Sequence, residues 1–190
     1  FYKEKTLNRL KLFNNKNNFH NKKFYINGTK VEKLEYYLKK VDWKLLSKGI
    51  ESNFHGDLQF DNIIYDPKKK IFKLIDWRPE FSDSTKSGDL YYDLAKLYAG
   101  TLMSYQEIKK GNFRFERMDN KISYDFSYSN SLKQSQLILE KYFIKKNFDF
   151  NKIKLISALI FINMSPLHSS PFSEMLYFHG MIELKKLIDK

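Results

Sequence analysis

His55-Gly56-Asp57-Leu58-Gln59-Phe60-Asp61-Asn62, followed fourteen residues after Asn62 by Asp76 in Leu74-Ile75-Asp76-Trp77, is the stretch that decides how the rest of the chain is read. It sets two carboxylates and an amide around Ile63-Ile64-Tyr65-Asp66, Pro67-Lys68-Lys69-Lys70 and Ile71-Phe72-Lys73-Leu74-Ile75. The β-branched and aromatic runs on either side of a polar turn predict two short strands joined as a hairpin. The two ends of a hairpin are close in space whatever its length, so Asn62 and Asp76 are expected side by side.

The chemistry that needs this arrangement is phosphoryl transfer. Its transition state is loose, and the protein mainly positions a hydroxyl nucleophile and neutralises phosphate charge. One carboxylate must face the hydroxyl. Magnesium takes oxygen ligands, typically one or two carboxylates with phosphate oxygens and water, and an Asp and an Asn carbonyl suit it. The interval from Asp57 to Asn62 equals that between the base and the metal-binding Asn in the catalytic loop H-R-D-x-x-x-x-N. A single Asp at a strand end more commonly caps a turn. The weight lies in the joint order of His55, Asp57, Asn62, Asp76 and Asp93.

On those residues the segment resembles the aminoglycoside phosphotransferase and choline kinase branch of the protein-kinase-like superfamily. That branch shows His-Gly-Asp-Leu, an Asn five residues after the Asp, Ile-Asp-Trp in place of Asp-Phe-Gly, and a later Gly-Asp with a downstream Asp-Leu-Ala. Gly88-Asp89-Leu90-Tyr91-Tyr92-Asp93-Leu94-Ala95 supplies the last part here. The resemblance implies that Asp57 is the catalytic base, that Asn62 and Asp76 hold Mg2+, and that ATP is the co-substrate. It further implies that Asp93 supports the loop, while the phosphoryl-transfer template, giving the base role to Asp, leaves His55 a structural residue packed near Trp77. Trp77, Arg78 and Tyr91 are candidate substrate contacts. The run from His55 to Leu97 is also similar to phosphotransferase-like proteins found with bacterial capsule and surface-polysaccharide genes. The implied fold is the C-terminal helical lobe of a kinase, mainly α with small β-hairpins (α+β), forming a single domain over residues 1–190.

A nucleotide-binding lobe needs a glycine-rich loop and a strand-borne Lys paired with a helix Glu. Neither is legible. Glycines 28, 49, 56, 88, 100, 111 and 180 stand singly, and the catalytic loop begins only fifty-odd residues in. The expectation is therefore a truncated chain that lacks the N-terminal lobe and is inactive by itself.

Outside the motif, Leu7, Leu10 and Phe13 predict a helix over Lys3 to Phe13. Thr29-Lys30-Val31-Glu32 reads as a capping box opening a helix whose apolar stripe is Val31, Leu34, Leu38, Val41 and Leu45. Asp89 is placed to cap a helix to about Ser104, with Leu90, Leu94, Leu97 and Tyr98 on one side and Asp93 turned inward. Residues 113–117 and 122–126 alternate around Asp119-Asn120, which predicts a hairpin that borders the substrate cleft. Three helices follow, at 131–147, 151–164 and 172–188, with Asn151 as a cap. Leu155 to Met164 is apolar but too short to span a bilayer.

Composition narrows the function classes. Zero cysteines exclude disulfides and thiolate metal sites, and a cytoplasmic location is the default. His20, His168 and His179 lack metal-ligand spacing. The net charge of +12 comes from 34 basic and 22 acidic residues spread along a chain rich in Asn, Ile, Phe and Tyr. That dispersal argues against nucleic acid as the partner. The resemblance implies a small-molecule hydroxyl substrate: a sugar, a choline-like amino alcohol or an aminoglycoside. The basic balance disfavours the last. Arg78 is expected to contact an anionic substrate or to pair with Asp83. The alternative function is a degenerate kinase-like binding module without turnover.

Overall fold

The computed structural model describes residues 1–82 and 84–189, so the expected Arg78 to Asp83 pair lies outside the described residues. The architecture is mixed α/β, with eight α-helices and small sheets among the described residues.

The first helix, α1 (Tyr2–Asn14), buries Tyr2, Thr6, Leu10 and Phe13, the spacing of one helical face, and leaves Leu7 outward. A short hairpin follows, β1 (Phe24–Ile26) and β2 (Thr29–Val31), turned by Asn27 (φ +46°) and Gly28 (φ +77°). Asn-Gly is the residue pair that a two-residue hairpin turn with both φ values positive prefers. The capping box expected at Thr29 is thereby corrected. Thr29 to Val31 are paired in a strand, and α2 (Leu34–Lys40) begins after Lys33 with no side-chain cap. Asp42 instead caps the next short helix, α3 (Trp43–Leu46), accepting from the Leu45 amide at 2.9 Å, and Leu45 points outward.

The strand β3 (Glu51–Ser52) leads into the motif, and β4 (Ile63–Asp66) pairs antiparallel with β5 (Ile71–Leu74), Ile63 opposite Leu74. The chain returns through β6 (Gly88–Asp89), antiparallel to β3, and enters α4 (Leu90–Leu102) with Asp89 as its cap. The inward side of α4 is Tyr91, Tyr92, Asp93, Ala95, Tyr98, Ala99 and Thr101; of the expected row Tyr98 is buried, whereas Leu90, Leu94 and Leu97 are half-buried, because the tyrosines supply more apolar area to the core.

After α5 (Tyr105–Lys109), β7 (Phe113–Met118) and β8 (Lys121–Phe126) form the expected hairpin. It does not border the cleft. It completes a four-stranded sheet in the order β2-β1-β8-β7, with β1 and β8 parallel and the other pairs antiparallel. Three helices close the chain: α6 (Asn130–Lys145), α7 (Phe150–Met164) and α8 (Phe172–Ile188). The cap of α7 is Asp149, which accepts from the Lys152 amide at 3.0 Å, rather than Asn151.

The buried residues of α7 run almost without interruption from Ile156 to Ile162, as a helix covered on all sides requires. It is packed by α1, α4 and α8. On the other side of α8 lies the sheet, where Phe24 meets Phe178 at 4.8 Å between ring centroids. No helix is long and apolar enough to cross a membrane among the described residues. The helices α1, α4 and α7 form the base on which the motif loops rest.

Candidate active site

The loop that carries Asp57 is held from below by one carboxylate. Asp93, on the first turns of α4, accepts from the His55 amide at 2.6 Å and the Gly56 amide at 2.9 Å, and also bonds the Leu58 amide. Burial raises the Asp93 pKa, and the amide donors pull it back without cancelling that effect.

His55 ties this loop to the segment bearing Asp76. Its Nδ1 accepts the Asp57 N–H at 3.2 Å, which leaves Nε2–H to donate to the Ile75 carbonyl at 2.8 Å. The tautomer follows from those two partners. The ring lies 4.9 Å from that of Trp77, and the Arg78 amide donates to the His55 carbonyl at 2.9 Å. His55 and Asp93 are thus supports.

The hairpin brings the backbones of the two segments that carry Asn62 and Asp76 together. The Ile75 amide donates to the Asn62 carbonyl at 3.1 Å, so Asp76 follows directly on the residue paired with Asn62. Asn62 is buried, and its Nδ2 donates to the Asp57 carbonyl at 2.9 Å, leaving Oδ1 as the amide atom available to a cation. Asp76 has a left-handed backbone (φ +62°), an exposed side chain and, among the described residues, no side-chain hydrogen-bond or ion-pair partner. A strained Asp with an unpaired carboxylate at this position is the sort of residue that functional sites retain. No cluster of three or more His, Asp or Glu that could hold a metal exists among the described residues. Magnesium fits all the same, because it needs only one or two protein oxygens when phosphates and water supply the rest.

Asp57 is buried, and both of its oxygens are taken. Lys96 on α4 reaches Oδ1 at 2.7 Å, and Arg78 reaches Oδ2 at 2.9 Å. Burial pushes the carboxyl pKa up, but the two cations outweigh it and hold the group below its ordinary value. Lys96 is largely enclosed, whereas Arg78 is well exposed.

Asp57 and Arg78 line a cavity of about 500 Å³ together with Lys5, Arg9, Glu80, Tyr92, Lys96 and Asn163. Neither Asn62 nor Asp76 lines it. Asp57 therefore stands between the Asn62–Asp76 segment on one side and an open pocket on the other. Trp77 is exposed, with Nε1–H donating to the Leu74 carbonyl at 3.2 Å, and does not line the pocket. Tyr91 is a correction. It is buried, its hydroxyl accepts from the Asp149 amide at 3.0 Å, and Lys152 Nζ sits 4.4 Å from its ring centroid. Its neighbour Tyr92 faces the pocket, since one residue turns a helix by about 100°.

Gly56 is the residue that lets the two segments meet. Its φ is +78°, and a Cβ there would lie 2.6 Å from Arg78 Cβ and 2.8 Å from Arg78 Cγ. The Arg78 Cβ is fixed by its own backbone, so a rotamer change that moves Cγ does not relieve the clash. Gly56→Ala is expected to lower stability by about 2 kcal/mol or more, from the left-handed backbone plus the clash, and to detach Arg78 from Asp57. Urea unfolding of the variant measures it, and an unchanged midpoint would contradict the geometry.

Comparison with family models, with curated proteins and with solved structures returned no match.

Proposed function

We propose that this chain is the catalytic, acceptor-binding lobe of a kinase-like phosphotransferase that moves the terminal phosphoryl group of ATP to a hydroxyl of a small molecule. The observation that carries the reading is the position of Asp57, a buried ionised carboxylate between an open pocket and the Asn62–Asp76 pair. An acceptor in the pocket turns its hydroxyl to Asp57, displacing the exposed Arg78 guanidinium from Oδ2. The acceptor oxygen bonds to the terminal phosphorus as the bond from phosphorus to the bridging oxygen breaks. ADP leaves with that electron pair, and the hydroxyl proton passes to Asp57 and then to water. Because its pKa is depressed, Asp57 orients the hydroxyl more than it drives deprotonation.

Asn62 Oδ1 and the Asp76 carboxylate would hold Mg2+, which neutralises phosphate charge when bound. On the same side lies the β4–β5 hairpin, with Ile64, Tyr65, Ile71, Phe72 and Leu74 exposed. So large an apolar area suits contact with a nucleotide and whatever covers it.

One observation favours the second reading, a binding module without turnover: both Asp57 oxygens are already ion-paired. An assay of the complete gene product with magnesium-ATP and a panel of hydroxyl acceptors separates the two. Asp76→Ala is expected to raise the magnesium concentration needed for half-maximal rate by about tenfold or more, by the loss of one charged ligand. Turnover with an unaltered magnesium requirement would remove Asp76 from the site, and no turnover on any acceptor would favour the module.

A further inference from the structure

The pocket beside Asp57 has a charge imbalance that the transfer reaction does not by itself require. Four cations line it, Lys5 and Arg9 from α1, Arg78 from the loop and Lys96 from α4, against the carboxylates of Asp57 and Glu80. Asp57 is spoken for by Lys96 and Arg78. Among the described residues Arg9 has no hydrogen-bond or ion-pair partner, and Lys5 Nζ meets only the Tyr92 hydroxyl, at 2.9 Å, and the faces of Phe1 and Tyr92. Residues 5 and 9 are one helical turn apart, so both side chains reach the same space. Asn163, also on the wall, keeps a buried Oδ1 without a partner among the described residues.

Resting on the phosphotransferase reading, we propose that the acceptor is itself an anion: a small hydroxylated molecule with a carboxylate or phosphate held by Lys5 and Arg9, and its hydroxyl at Asp57. A polycationic or quaternary-amine acceptor would meet four positive charges here. The triphosphate of ATP is not what the cluster serves, because the cavity opens on Asp57 and Arg78 but on neither Asn62 nor Asp76.

The state of Lys5 supports the same assignment. Burial, then the neighbouring Lys96 and Arg9, and more weakly Arg78, hold its pKa down to about 8, against a partial offset from Asp57. An ammonium so crowded is relieved by an incoming anion, which raises its pKa. Anion binding then takes up a proton above pH 8, and affinity is expected to fall as pH rises from 8 toward 10, by up to about tenfold per unit. The groups facing Lys5 that set this slope are Arg9 on α1, Tyr92 and Lys96 on α4, and Asp57 and Arg78 on the loops.

The test is calorimetric titration of the 190-residue chain with gluconate, glycerol 3-phosphate and inorganic phosphate, against glucose and choline, without nucleotide. Gluconate or glycerol 3-phosphate should bind, with inorganic phosphate weaker, glucose and choline weaker still or silent, and the two organic anions reporting whether carboxylate or phosphate is preferred. Arg9→Gln, which removes no described contact, should weaken the organic anions by about tenfold or more, and Lys5→Met should abolish the pH slope. Equal binding of anion by wild type and Arg9→Gln, or preference for glucose or choline, overturns the proposal. A magnesium-ATP assay of the complete gene product tells the two readings apart. Transfer to choline or glucose but not to the acids sinks the anionic acceptor alone, whereas anion binding lost in Arg9→Gln with no transfer to any acceptor sinks the phosphotransferase alone.

Discussion

Asp57→Asn is expected to lower turnover of the complete gene product by about 10²- to 10⁴-fold while leaving acceptor binding within a few-fold of wild type. Asparagine keeps the size of the side chain and one acceptor oxygen, but it loses the charge that orients the hydroxyl and takes its proton. A second consequence follows from burial. Lys96 is mostly enclosed and bonds Asp57 at 2.7 Å, so removing the carboxylate leaves a buried cation without its counter-charge. Breaking a buried pair from one side costs about 3 kcal/mol. The double variant Asp57→Asn with Lys96→Met removes that stranded charge and should recover most of the stability, but none of the turnover. Steady-state rates with denaturant unfolding of both proteins separate the two roles. Turnover of Asp57→Asn within tenfold of wild type would end the assignment of Asp57 as the base.

The parts of the site that were legible in the sequence are those set by local geometry. The Asn62 backbone meets that of Ile75, next to Asp76, because a hairpin closes between them, and the strand signals on either side of Pro67-Lys68-Lys69-Lys70 suffice to see it. The position of Asp93 on α4 turns it inward, and there it receives the loop amides. Lys5, Arg9 and Lys96 were not legible, because each is one of 34 basic residues and reaches the pocket from a helix far away along the chain. One signal was available for Lys96: it follows Asp93 by three residues, so a helix that turns Asp93 toward the loop turns Lys96 the same way. The same reasoning separates Tyr92, which shares its side of α4 with Lys96, from Tyr91, which faces Asp149. The Asn27-Gly28 turn was also readable and was obscured by the Thr-x-x-Glu pattern just beyond it. A capping pattern opens a helix only where no strand claims its residues, and β1 pairs with Thr29 to Val31.

Asp93→Ala is expected to be the most destabilising single change in the site. Three amides, of His55, Gly56 and Leu58, would lose their acceptor at once in a place water does not easily reach. Each buried donor left unpaired costs about 1–3 kcal/mol, so a loss of about 3 kcal/mol or more is expected even after the loop relaxes. Asp93→Asn should be milder, since it keeps one acceptor oxygen and avoids burying a charge, although its NH2 opposes an amide donor. The raised pKa of Asp93 gives the sign of its pH dependence. The folded state holds this proton more tightly than the unfolded chain, so the contribution of ionisation to stability is most favourable at low pH and declines as pH rises through the ordinary Asp range to the raised folded value. The Asn variant has no such proton, and its stability relative to wild type should improve over that interval. Unfolding free energies of the three proteins at pH 4 and pH 7 measure both effects. If Asp93→Ala unfolds within 1 kcal/mol of wild type, a threshold set by the cost of a single unpaired amide, the loop that presents Asp57 is held by something other than this carboxylate.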